Sequence, residues 1–210
     1  MAFEKSKQRA ETLVSMEKPA PSLSSPEPFV QKLEMDPDVD PNHGIGVDHM
    51  LGEWGGIPYA ELSVILVHLR YLQHVHQTHH WLAKGDPFYG DHLLFQRLYD
   101  AVTEDIDAVA EKSVGLGSER NVDLSLQVKQ LEKMVSGAYG MTQTIPQPTE
   151  LIKRSLQAEK NFIKTVCLLA SSLKEQGVLT RGLDNMLAGI EDVHESHVYL
   201  LKQRSSSGKF

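Results

Sequence analysis

The chain has 210 residues, of which 40% are hydrophobic and 23% are charged, enough for one helical core with additional segments. Its 21 basic and 28 acidic residues give a formal net charge of −7, which argues against general binding to nucleic-acid phosphates. The longest largely apolar run, residues 62–67, is too short to span a membrane, and the first thirty residues lack the hydrophobic stretch of a signal peptide. The single cysteine, Cys167, cannot form an intrachain disulfide and is interpreted as a small core residue. We therefore expect a cytoplasmic protein.

Residues 1–56 are rich in proline, serine and acidic residues, with 10 acidic against 5 basic side chains. Six prolines make a long regular element unfavourable there, so we predict a largely irregular N-terminal extension followed by a folded domain over residues 57–210. The acidic stretch around residues 36–49 is interpreted as a solvated linker, with a weak accessory metal site as the alternative. It is not an EF-hand, because Pro41 stands where such a calcium loop needs glycine.

Four long segments with helical periodicity follow in chain order. The first covers residues 58–83, and the second covers residues 88–114, preceded by Asp86-Pro87 as a cap and a first-turn proline and closed by Gly115. Residues 123–135 predict a short helix, the third long helix runs from about Pro148 to before Gly177, and the fourth runs from about Thr180 to Arg204. These elements predict an all-α, up-down four-helix bundle with a short extra helix between its second and third long helices.

The first two helices each carry an apolar stripe that should face the core. The stripe of the first helix is Leu62, Ile65, Leu66, Leu69 and Leu72, and that of the second is Phe95, Leu98, Val102, Ile106 and Val109. A second line of side chains, which we call the seam, lies about 100° away on the second helix and consists of His92, Gln96, Tyr99, Thr103 and Asp107. The two faces are separate, as contact with two different partners requires.

Four residues are the candidate metal ligands and catalytic groups: His80, His92, Asp107 and Glu111. Asp107 and Glu111 are an i,i+4 pair, but His92 lies fifteen residues away on the same helix, which is roughly 22 Å. One ion cannot bind both within one chain, so the chain holds two half-sites. An antiparallel second copy of this helix would bring the histidine of each chain to the carboxylates of the other and form two identical mixed sites about a twofold axis.

Two imidazoles and two carboxylates form a nitrogen and oxygen donor set that suits Fe(II), Zn(II) or Mn(II) and is poor for Cu(I). Iron is the preferred interpretation, because carboxylates tolerate the change from Fe(II) to Fe(III) and fewer than six protein ligands leave positions open for an oxidant. His76 lies one helical turn before His80 and is a candidate additional ligand, with a polar neighbour of the site as the alternative.

The residues around these ligands resemble the signature of the Dps proteins, the mini-ferritins that protect DNA during starvation. The resemblance is carried by His80-Trp81, Lys84-Gly85, Phe88, His92 and residues 107–112. It implies a ferritin-like bundle and a ferroxidase centre built from two histidines of one subunit and the aspartate and glutamate of its twofold mate. It further implies a dodecameric cage that oxidises Fe(II), with hydrogen peroxide as the expected oxidant, and stores the mineral, which protects against oxidative damage. Gln96 stands where many Dps proteins have a further carboxylate, so filling of a second iron position stays open.

Three alternatives follow from the same sequence. An internal diiron centre would need Glu-x-x-His motifs on two helices, and only Glu191 to His194 supplies one, so His194 and His197 are expected to be hydrogen-bonded histidines that are buried or lie at an interface. A cage or decoration protein with the Dps fold and without significant iron turnover is the second. A DNA-binding cage is the third, and it is not favoured because 28 acidic residues outnumber 21 basic ones, although Lys5, Lys7, Arg9, Lys202, Arg204 and Lys209 could form small basic ends.

Overall fold

The computed structural model describes residues 43–138 and 147–206. The described residues form six α-helices: α1 (His43–Glu53), α2 (Ala60–Leu82), α3 (Phe88–Leu116), α4 (Leu124–Lys133), α5 (Pro148–Glu175) and α6 (Arg181–Ser206). A 3₁₀ turn, Glu119–Val122, precedes α4, and a π-helical turn, Met134–Ala138, follows it. Within these ranges there is no strand, so the prediction of an all-α fold is confirmed.

The four long helices α2, α3, α5 and α6 form the bundle. Helix α2 is its centre: it packs against both α3 and α5, and 14 of its 23 residues are buried. Helix α6 packs mainly against α5. Short connections over residues 83–87 and 176–180 make the helices they join antiparallel neighbours. All members of the two predicted apolar stripes are buried, which confirms that these faces of the first two bundle helices point into the core.

Helix α1 is an element that the sequence analysis did not anticipate. It lies within the segment predicted to be largely irregular, and Val47 and Met50 on one of its faces, with Trp54 directly after its last residue, are buried in the same core as the bundle. Their spacing of three and four residues is helical, and the Gln130 side chain donates a hydrogen bond of 2.9 Å to the Met50 carbonyl. Residues 36–42 of the acidic stretch lie outside the described residues, and a domain boundary at residue 56 stays a prediction.

Helix α3 ends at Leu116, two residues beyond the predicted end at residue 114, so Gly115 is itself helical. Gly117 is the residue that stops it: a Cβ there would lie 2.6 Å from the Asn121 Oδ1 and 2.7 Å from the Pro58 carbonyl oxygen. The Asn121 amide donates to the same Pro58 carbonyl at 2.9 Å, so this crossing is tight and polar. At the other end Pro87 flanks the helix as its N-cap and no side chain caps it, so the predicted Asp86 cap is wrong.

The remaining elements fall close to their predicted positions. Asp123 caps α4 by accepting a hydrogen bond of 3.0 Å from the Leu126 amide, and α4 is the predicted short helix between the second and third long helices. Pro148 opens α5 as a first-turn proline. No helix among the described residues is both long and apolar enough to cross a lipid bilayer.

Candidate metal centre

His80 and His92 meet where α2 ends and α3 begins. The Nδ1 atom of His80 lies 2.9 Å from the His92 carbonyl oxygen, and the Nδ1 atom of His92 lies 3.0 Å from the His80 carbonyl oxygen. The two rings stack with centroids 3.6 Å apart and planes inclined by 22°. Phe88 and Tyr99 flank the stack, with ring centroids 5.0 Å from His92 and 5.4 Å from His80 respectively. The connection through Gly85, whose φ of +83° favours glycine, allows this close return of the chain.

These contacts fix the tautomer of both imidazoles. A carbonyl oxygen can only accept, so each Nδ1 carries the proton and donates it. The neutral ring then has its lone pair on Nε2, the atom that can bind a cation. A metal-ligating histidine usually donates a hydrogen bond from its other ring nitrogen to an acceptor such as a backbone carbonyl. This hydrogen bond orients the ring and makes the ligating nitrogen more basic. Both rings are half-buried, so a ligand can reach this pair from the surface.

Asp107 and Glu111 lie on the surface of α3, one turn apart and both exposed. They do not meet the histidine pair within the chain, since the fifteen residues from His92 to Asp107 correspond to roughly 22 Å of helix. The seam that joins them stays at the surface: His92 and Tyr99 are half-buried, and Gln96, Thr103 and Asp107 are exposed. The chain therefore presents two separate half-sites on one side of α3.

A second group of candidate ligands lies inside the bundle. Glu159 of α5 is fully buried, and three imidazoles converge on its carboxylate. The Nε2 atom of His76 is 2.8 Å from Oε1, the Nδ1 atom of His197 is 3.1 Å from Oε1, and the Nδ1 atom of His194 is 2.5 Å from Oε2. We call these four residues the interior cluster. Since they come from α2, α5 and α6, only the tertiary fold brings them together.

Polar residues surround the interior cluster. The Ser155 hydroxyl lies 3.1 Å from Nδ1 of His76 and 2.7 Å from Nδ1 of His79, on the α2 side. On the opposite side the Nε2 atom of His194 faces Oδ2 of Asp105 at 3.4 Å. Both of these atoms are buried, and neither makes a hydrogen bond within the described chain. Two unsatisfied buried polar atoms facing each other are unusual in a folded protein and call for an explanation.

The charges within the interior cluster are strongly coupled. Burial by itself would lower the pKa of His194, but the negative charge of Glu159 and the nearby Asp105 outweigh it and raise this pKa to about 9. Burial would raise the pKa of Glu159, but the positive charge of His194 and the hydrogen bonds from the imidazoles hold it well below its usual value. Without a metal, His194 and Glu159 are therefore a buried ion pair. Burial lowers the pKa of His76, which stays neutral.

The sequence analysis located part of this interior cluster. The expectation that His194 and His197 are hydrogen-bonded is confirmed, and both are buried. His76 joins them through its contacts with Ser155 and Glu159, and a role for it as a ligand of the His80 half-site stays a prediction. Glu191, the glutamate of the single Glu-x-x-His motif, is instead 3.1 Å from the Cys167 sulfur.

Glu159, a member of the interior cluster, and Asp105, the neighbour of His194, were missed. The available signal was the position of Glu159, which lies in helical register with the buried apolar residues Phe162 and Val166 of α5. A carboxylate on a core stripe needs a buried partner and so indicates a polar cluster. For Asp105 the sequence gives no such signal, because it flanks the core stripe of α3 among other acidic residues.

No family model matches the sequence, and no curated protein matches it by sequence. Solved structures do match by fold. DpsC from Streptomyces coelicolor is 22% identical with a TM-score of 0.59, over 70% of this chain and 83% of that one. Dps from Thermosynechococcus elongatus is 18% identical with a TM-score of 0.58, over 77% and 92%. Dps from Microbacterium arborescens in the high iron form is 15% identical with a TM-score of 0.56, over 80% and 97%. The chain therefore has the Dps fold, an all-α ferritin-like bundle.

Proposed function

We propose that this protein is an iron-storage mini-ferritin that oxidises Fe(II) at sites shared by two subunits of a dodecameric, cytoplasmic cage. The observation that carries the proposal is the His80–His92 pair, in which both Nδ1 atoms donate to backbone carbonyls and both Nε2 lone pairs stay available. Asp107 and Glu111 of the partner subunit complete the donor set. Fe(II) is the substrate, and Zn(II) or Mn(II) could bind the same nitrogen and oxygen ligands.

Exposed apolar side chains near both half-sites support a subunit contact on this side of the bundle. Trp81 and Tyr89, beside the histidines, are 68% and 74% exposed, and Val114, one turn beyond Glu111, is 40% exposed. Large apolar side chains grouped on a surface indicate a contact with another protein surface. A twofold-symmetric contact along the seam would bury the apolar side chains at both ends of α3, because the twofold axis places each end of α3 against the opposite end of α3 in the second subunit.

Each residue has a distinct part in the proposed reaction. The neutral imidazoles of His80 and His92 hold the substrate ion, and Asp107 and Glu111 of the partner subunit supply negative charge that favours the ferric product. Two Fe(II) ions each give one electron to one molecule of hydrogen peroxide, which takes up two protons and becomes two water molecules. The ferric product then moves inward and mineralises. Removing Fe(II) and peroxide together suppresses hydroxyl-radical formation and so protects against oxidative damage.

The experiment is a kinetic assay of Fe(II) oxidation by hydrogen peroxide with the assembled protein. His80→Ala and Glu111→Ala should each lower the initial rate by about tenfold or more, because each removes a ligand. His74→Ala is the matched control, since His74 is an exposed histidine on the same helix α2. Equal rates for the wild type and both ligand variants would exclude this centre and favour an assembly protein without iron turnover.

Two further measurements test the assembly and its partners. Light scattering should give the mass of a cage, and a species smaller than a dimer that oxidised iron at the full rate would contradict a shared site. DNA binding is not part of the proposal, because the formal net charge of −7 disfavours contact with phosphates. A mobility-shift assay at physiological salt should show no retarded DNA, and a shift that disappears with added salt would overturn this expectation.

A further inference from the structure

We propose that the bundle interior contains a second metal site, in which Glu159, His194 and His197 of one chain bind a single divalent cation of the Zn(II) class. One ligand atom from each of these residues can be chosen so that all three lie within 4.8 Å of one another. The site differs from the intersubunit centre in every ligand, needs no second chain and does not depend on the proposed ferroxidase function.

The spacing of the donor atoms fits one ion. Around a cation with bonds of about 2.0–2.2 Å, tetrahedral ligand atoms are separated by roughly 3.3 Å. The Glu159 Oε1 to His197 Nδ1 distance of 3.1 Å is already close to this value, whereas the Nδ1 atom of His194 contacts the other carboxylate oxygen, Oε2, at 2.5 Å. His76 is the natural fourth ligand, because its Nε2 atom lies 2.8 Å from the same Glu159 oxygen.

The contact between His194 and Asp105 is a second geometric feature that suits a metal. If the Nδ1 atom of His194 binds a cation, its Nε2 must carry the proton, and Asp105 Oδ2 lies 3.4 Å away as the acceptor. In many protein metal sites, a histidine that binds the metal through one ring nitrogen donates a hydrogen bond from the other to a carboxylate. Ser155 plays the same part for His76, with its hydroxyl 3.1 Å from Nδ1. Metal binding at Nδ1 of His194 therefore keeps its Nε2–H directed at Asp105.

Formal charge also fits a divalent ion. Glu159 and Asp105 are two carboxylates on either side of the neutral imidazoles, and their two negative charges equal the charge of one divalent cation. A neutral assembly is the favourable state at a buried position, where an uncompensated charge is costly. Three imidazoles and one carboxylate, without sulfur, form a closed four-ligand set suited to Zn(II). Such a site would link α2, α5 and α6.

The test uses the full-length protein with His80→Ala and Glu111→Ala combined, so that the intersubunit centre is removed. After chelation and desalting, Co(II) is added as a spectroscopic probe for the Zn(II) class, and metal bound per chain is measured after a second desalting. We expect about one Co(II) per chain, with the intense visible absorption of four-coordinate Co(II). A folded, assembled double variant that retains no Co(II) would overturn the proposal, whatever the outcome for the ferroxidase.

Variants then assign the ligands. Adding Glu159→Gln to the double variant should weaken Co(II) affinity by about tenfold or more. Glu191→Gln is the matched control on α6, because Glu191 contacts Cys167 and not the interior cluster, and it should leave Co(II) binding intact. Equal losses in both variants would contradict the assignment. If Glu159→Gln does not fold, His197→Gln replaces it, since the side chain of His197 is at the edge of the interior cluster and 4% exposed.

Discussion

His80 and His92 hold each other through the backbone: each imidazole donates to the carbonyl of the other residue, at 2.9 and 3.0 Å. The carbonyls belong to the last turn of α2 and the first turns of α3, so the same two bonds orient the rings and join the helices. Since orientation comes from the main chain, it is set before any metal binds. The carboxylate half of the proposed site has no such support within the chain, and this asymmetry leads to the first prediction.

A shared site predicts complementation between two inactive variants. His92→Ala lacks a ligand in one half-site, and Glu111→Ala lacks a ligand in the other. When equal amounts are unfolded together and reassembled, about half of the dimers should be mixed, and each mixed dimer has one intact site out of two. Fe(II) oxidation should therefore recover to about a quarter of the wild-type rate, while each variant alone stays inactive.

The matched control mixes His92→Ala with His80→Ala, which damage the same half-site. In a mixed dimer of this pair both sites lack one histidine, so no recovery is expected. A recovery equal to that of the first mixture, or no recovery in either mixture despite wild-type assembly, would contradict ligands contributed by two subunits.

Gly117→Ala should destabilise the bundle. The added Cβ would lie 2.6 Å from Asn121 Oδ1, 2.7 Å from the Pro58 oxygen and 2.9 Å from the Ser113 oxygen, and two of these three are backbone atoms that cannot rotate away. We expect a loss of about 1–3 kcal/mol in the free energy of unfolding, measured by urea denaturation at constant protein concentration. Gly189→Ala in α6 is the control, because nothing lies within 4 Å of its added Cβ. It should be neutral or stabilising by up to about 1 kcal/mol.

His68 predicts a loss of stability in acid. Burial lowers its pKa to about 4, against the opposing hydrogen bond to the Val64 carbonyl. Between about pH 6.5 and pH 4 the imidazole is protonated in the unfolded chain but neutral in the folded chain. The free energy of unfolding therefore falls as the pH drops through this range. The contribution is on the order of 3 kcal/mol. His68→Gln should flatten the dependence of the urea midpoint on pH in this window, measured with excess chelator. An unchanged slope would contradict the prediction.

Cys167 should react slowly with alkylating reagents in the folded protein. Burial and the nearby carboxylates of Glu191 and Glu195 raise the pKa of its thiol, and only the thiolate is nucleophilic. At pH 8 we expect modification by iodoacetamide, followed by mass spectrometry, to be about tenfold or more slower than in urea. Glu191→Gln should speed it, because the variant removes one negative charge beside the sulfur. Equal rates in the folded and unfolded protein would show that neither burial nor charge protects the thiol.

The local pattern of the sequence determined the helices of the bundle. Hydrophobic periodicity gave both apolar stripes, and Pro148 and Asp123 marked helix starts, because capping and amphipathicity act over neighbouring residues. The same local information failed where a contact came from a distant residue. Gly115 does not end α3, since the crossing of Pro58 and Asn121 at Gly117 decides the end. Helix α1 was missed because its core residues Val47 and Met50 are buried only against the bundle.

The ligands of the proposed intersubunit site could be predicted from the local sequence, whereas those of the interior cluster could not. The spacing of His80, His92, Asp107 and Glu111 could be read along the chain, because a helix fixes distances between its own residues and so requires a second subunit. The interior cluster could not be read in this way. Glu159, His194 and His76 are separated by at least 35 residues, and only the packing of three helices brings their polar atoms within 3 Å. Periodicity determines which side of a helix faces inward, but the partner of each buried atom depends on how the helices pack.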